Sequence, residues 1–183
     1  MTDGTGPEGV LAWWFAPETK PRWFGGGDAF DEAVRERFGP LYARAAGGEL
    51  DGWAAEPRGL LALVILFDQV PRNIFRGTAR AFEGDTQALA LARLAVDRGL
   101  DQAMSMDERL FLYLPFEHAE DLADQERSVA LFRALGDAGY LDYAIRHQAV
   151  IERFGRFPHR NAILGRASTA DELAFLEQPG SSF

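Results

Sequence analysis

Three segments concentrate the side chains able to do chemistry: DQVPRN at residues 68–73, FEHAEDLADQ at 116–125 and RFGRFPHRN at 153–161. Arg72, Arg156 and Arg160 each present a planar fork that takes a carboxylate or phosphate through two hydrogen bonds, while Asn73 and Asn161 donate and accept at once. Asp68, Gln69, His118, Asp121, Gln125 and His159 complete the set. Brought together, these groups would suit a small anionic ligand or a carboxylate-bearing peptide end. Catalysis would need a proton acceptor beside cations that hold an oxyanion, which nominates His118, Glu120 and Asp121 for hydrolase or lyase chemistry. The bland alternative is a set of ion pairs between helices, with the arginines taken up by Asp68, Glu117 or Asp121.

Other chemistries find little support. An HxxD spacing without a second histidine nearby is a weak metal signature, so no metal and no cofactor is expected; His159 would complete a site only if the fold brought it to His118. The chain has no cysteine, which removes thiol catalysis, thiolate ligation and disulfides together. No GxSxG, HExxH, Walker or dinucleotide fingerprint occurs. A net charge of −9 argues against nucleic acid as a partner. The longest apolar run, residues 60–67, falls far short of the ~20 residues of a spanning helix, and the N-terminus lacks a basic segment before its apolar run. A soluble cytoplasmic protein without a membrane partner is expected. Trp13, Trp14, Trp23 and Trp53 read as core and rim anchors rather than a ligand cage, and exposed tryptophans among them would allow a homodimer.

Helical patterns must position these groups. With 183 residues and 47 % hydrophobic content, one all-helical domain over residues 1–183 is the simplest organisation. Asp28 suits the N-cap of a helix that runs to about Ala46 and stops at Gly47 and Gly48. Pro57 suits the first turn of the next, whose eight-residue apolar run marks a helix buried on all sides. A helix from near Asp85 to Gly99 would turn Leu89, Ala92 and Val96 inward. Ser105 with Glu108, and Thr169 with Glu172, form capping boxes. Pro115 predicts a break, after which one helix from Phe116 to Gly136 would carry His118, Asp121 and Gln125 on one side. A further helix spans about 138–153. VPRNIFRG at 70–77 and FPHRNAILG at 157–165 echo each other weakly, as a duplicated helix-turn unit would.

LFDQVPRNIFRGTARAF, HAEDLADQERSVALF, RFGRFPHRNAILGR and the terminal PGSSF, in that order, resemble the bacterial family called domain of unknown function 924. With WWF and RWF near the start, the resemblance covers essentially the whole chain. It implies an all-α fold of antiparallel helix pairs stacked as in tetratricopeptide-repeat proteins, and no established activity. The family's DQxPRN falls on Asp68, Gln69, Pro71, Arg72 and Asn73, its HxEDxxxQ on His118, Glu120, Asp121 and Gln125, and its GRFPHRN on Gly155 through Asn161. Where members read His-Ser-Glu this chain has His118-Ala119-Glu120, so no serine nucleophile is required there. Repeat folds of this type carry function on a concave face, and the resemblance therefore implies that the three segments meet in one groove; a protein-interaction scaffold whose groove takes a partner helix or an extended peptide is the further alternative to a binding protein and an enzyme.

Overall fold

A computed structural model describes residues 6–182. Among them are eight α-helices, α1 Pro7–Trp14, α2 Gly27–Ala46, α3 Pro57–Ile74, α4 Asp85–Asp97, α5 Met106–Glu117, α6 Leu122–Leu135, α7 Ala138–Phe154 and α8 Ala170–Leu176, with five short 3₁₀ turns and no strand. The fold is all-α, and its helices pack as pairs. No helix of the described residues is long and apolar enough to cross a membrane. Two compact units divide the chain: residues 6–76 with 80–115, and residues 77–79 with 116–182.

The first unit is organised by α3, which packs against α1, α2 and α4. Residues 59–71 of this helix are buried without interruption, so the apolar run is an all-round core helix as its composition requires. Pro57 occupies its first turn, where the missing N–H costs nothing. An aromatic cluster closes the N-terminal end: Trp13 stacks on Phe30 at 5.7 Å, and Phe111 meets the edge of Trp23 at 4.6 Å. Trp14 and Trp23 are buried and Trp13 and Trp53 partly so, which removes the exposed tryptophans invoked for a homodimer.

Several local expectations hold and others move. Asp28 is not an N-cap; α2 begins at Gly27, and Asp28 sits in the first turn, where a carboxylate complements the helix dipole. On α4 the inward stripe is Ala88, Ala92 and Ala95, with Leu89 and Val96 only partly buried. Small residues win that face because α4 lies close to α3. Gly84, just before α4, is closer still, since a Cβ there would overlap the carbonyl oxygen of Phe67. The Ser105–Glu108 capping box forms, with bonds of 2.8 and 3.3 Å.

In the second unit α6 and α7 pack together, joined by Gly136 and Asp137. Gly136 takes a φ of +87°, a left-handed conformation that favours glycine and reverses the chain. Pro115 does not break the chain where expected. Helix α5 continues through it to Glu117, and the interruption falls at residues 118–121, before the side chain of Asp121 caps α6 by accepting the Asp124 N–H. His118, Asp121 and Gln125 therefore do not share one helix. The Thr169–Glu172 capping box starts α8. The echoed motifs lie in unlike structure, Pro71 inside α3 and Pro158 opening a 3₁₀ turn, which argues against a duplicated unit.

Gly84→Ala tests the close approach. With φ at −93° the backbone already suits alanine, and a compatible Gly→Ala change would stabilise through the unfolded chain. Overlap with the Phe67 carbonyl reverses that sign, and a loss of about 1–3 kcal/mol is expected in urea denaturation.

Candidate functional site

Asp68, Gln69, Arg72 and Asn73 belong to the first unit, on the last turns of α3, and each is engaged there. Arg72 donates to both carboxylate oxygens of Asp85, at 2.7 and 3.1 Å, and to the Asp68 carbonyl at 2.8 Å. The Asp68 carboxylate lies 3.3 Å from the same guanidinium and accepts from Gln69 Nε2 at 2.5 Å. Asn73 donates to the Gln69 carbonyl at 2.9 Å. The buried Asp68, Gln69 and Asn73 side chains of this helix end thus meet protein partners.

The second unit brings the other two segments together. Gln125, fully buried, donates from Nε2 to the carbonyls of Glu117 and Ala119 at 2.7 and 2.8 Å, closing the C-terminus of α5. Glu120 reaches across to the 157–161 turn. Its carboxylate accepts the Phe157 N–H at 2.7 Å and both ends of the Arg166 fork at 2.6 and 2.9 Å. Arg166 also donates to the Phe157 carbonyl at 3.1 Å and to Asn161 Oδ1 at 2.9 Å, and Asn161 Nδ2 donates to Ser168 at 3.0 Å. Arg156 is bound by the buried Glu172 through two bonds of 2.6 and 2.8 Å. The Arg156 guanidinium, helped by the Thr169 N–H, holds the Glu172 carboxyl down at about 2.

All three histidines of the chain fall in this unit. His147 Nδ1 lies 2.8 Å from the Tyr143 carbonyl, an acceptor only, so Nδ1 carries the proton and Nε2 the lone pair. Burial, and after it the nearby His118, Arg160 and His159, push His147 down to about 3. Its 3.6 Å approach to Glu117 is therefore made by a neutral ring at physiological pH. Burial and then Arg160 lower His159 to about 4. The ring of Phe157 is the hub: the His147 and His159 rings each lie 5.6 Å from it, and the Arg160 guanidinium sits 4.6 Å over it. Arg160 is buried, whereas His118 and His159 keep partial exposure.

Sequence reasoning singled out neither Arg166, though it ends the stretch RFGRFPHRNAILGR, nor His147 and its neighbours. Glu172 was legible only as part of a cap. Among the described residues no group of three or more potential ligands could hold a metal ion.

These shifts set a pH dependence. Buried neutral histidines bind fewer protons in the folded state than in the unfolded chain, so stability falls as pH drops below their ordinary value of 6.5 towards 3–4. Glu172 and Glu120, both held below the ordinary 4.5, lose their contribution only below that value. Urea midpoints between pH 7 and 5 should fall in the wild type and fall less in His147→Gln; a flat wild-type profile would contradict the neutral, buried histidines.

Comparison with known proteins agrees with the all-helical architecture. The model of a family described as bacterial protein of unknown function (DUF924) matches residues 10–180. A solved structure of the protein of unknown function ATU0120 from Agrobacterium tumefaciens is similar, with 45 % identity, a TM-score of 0.87, and coverage of 93 % of this chain and 96 % of that one. No curated protein matches the chain. The ordered motifs, the helical fold and a match over nearly the full length give one conclusion: the chain belongs to the DUF924 family.

Proposed function

We propose that the chain binds a small anion, a carboxylate or a phosphate, at the face formed by His118, His159 and Arg160 in the second unit. One observation carries this reading: the His147 ring, the His159 ring and the buried Arg160 guanidinium all pack on Phe157, and His118 is near enough to both rings to act on their charge. Arg160 supplies a fixed cation of low exposure, and the neutral His159 imidazole offers an N–H donor or a lone pair without adding charge. Partial exposure of His118 and His159 gives a ligand an approach that Arg160 and His147 lack. Arg156, in the same unit, is taken up by Glu172, and Arg72, in the first unit, by Asp85.

Binding is favoured over hydrolase or lyase chemistry by the proton affinities. A base with a pKa of about 3 or 4 accepts protons poorly at neutral pH. Of the catalytic candidates, Glu120 is anchored by Arg166 and Asp121 caps α6.

Thermal shift and calorimetry with inorganic phosphate and simple carboxylates test the proposal. Saturation a hundredfold above Kd would add about 2.7 kcal/mol of stability. The shift should vanish in Arg160→Gln and His159→Ala and persist in Arg156→Gln. Equal responses in all variants, or none in the wild type, would sink the reading.

A further inference from the structure

Arg166 meets no part of the proposed anion face, yet it makes four side-chain bonds, and all of them end on the turn that carries His159 and Arg160 or on Glu120, which grips that same turn. Two bonds go to the Glu120 carboxylate at 2.6 and 2.9 Å, one to the Phe157 carbonyl at 3.1 Å and one to Asn161 Oδ1 at 2.9 Å. Glu120 then takes the Phe157 N–H at 2.7 Å. Both backbone polar groups of Phe157, and the side chain of Asn161, are thus held by one ion pair. The Arg166 N–H adds a bond of 2.8 Å to the Asn161 carbonyl. His159 and Arg160 lie between those two fixed points, on the 3₁₀ turn Pro158–Arg160.

The geometry points to Arg166, with Glu120, as the positioning pair of the anion face: it sets where His159 and Arg160 stand without touching a ligand. The inference rests on the proposed face for its consequence but not for its test. A guanidinium fork is what the task requires. Lysine would keep the charge but could not hold two carboxylate oxygens, a carbonyl and an amide oxygen in fixed directions.

Arg166→Lys keeps the charge, so the field at His159 is little altered and any change in its titration reports position. Histidine-ring NMR resolves three residues in this chain. His159 should rise from about 4 towards its ordinary 6.5 as the turn loosens and water reaches the ring, while His147, fixed by its own bond on α7, stays near 3. Inorganic phosphate, titrated into the same variant, should bind at least tenfold more weakly than to the wild type.

Glu120→Gln gives an independent arm should Arg166→Lys fail to fold. Losing the Glu120 charge alone would lower His159 further, because that charge now raises it. A rise therefore reports a loosened turn against the electrostatic trend. An unchanged or lowered His159 in the variants that fold, with only the melting temperature reduced, would overturn the inference and leave the pair as a plain structural tie. Were wild-type protein to bind no phosphate or carboxylate, the anion reading would fall, and the His159 shift would still decide the positioning role.

Discussion

A helix buried on every face leaves its polar end no water to turn to, and the first unit is shaped by that constraint. Residues 59–71 of α3 are all buried, so Asp68, Gln69 and Asn73 must find partners within the protein or each forfeit about 1–3 kcal/mol of solvation. They do so along a chain of local bonds that ends in the Arg72–Asp85 fork. The fork links the end of α3 to the start of α4. The same demand explains the alanine face of α4 and the glycine at residue 84: two backbones that approach closely leave no volume for larger side chains.

An analogous device recurs in the second unit with other residues. Arg156 forks onto Glu172 and Arg166 forks onto Glu120, each joining segments far apart in the chain. In an acidic protein these arginines act as cross-links with direction. Removing one partner of such a pair is costly, about 3–5 kcal/mol when it is buried, because the other charge is left behind. Pairing of this kind also makes the chain's arginines unequal. Those forked onto a carboxylate hold the frame, and Arg160 adds a guanidinium set over the Phe157 ring.

The sequence made the helices legible because their signals are local. The apolar run of α3, the boxes at Ser105 and Thr169 and the glycine after α6 each act within one or two turns. Proline misled at residue 115, since a helix can carry proline where its neighbours absorb the lost bond, and α5 ran on to Glu117. That shift of the boundary undid the expected alignment of His118, Asp121 and Gln125. Nothing local announces that Arg166 will reach Glu120, 46 residues away, or that His147 will stand beside Phe157. Such pairs are fixed by how α6 and α7 pack, and a single sequence does not encode that in any short pattern.

The stretch RFGRFPHRN shows why a tie and a site need not be alternatives. Phe157 and Asn161 are held at their backbone and amide groups, and Arg156 is held by Glu172. Between them the chain forms a 3₁₀ turn, in which successive side chains point about 120° apart. Adjacent residues on such a turn face different surroundings: Arg160 is buried over the Phe157 ring, and His159 reaches partly into solvent. A looser loop would let the guanidinium leave the ring for water, where charge is best solvated. The bonds that make this stretch a tie are therefore what allow it to keep a cation and an imidazole in fixed relation, one inside and one at the surface.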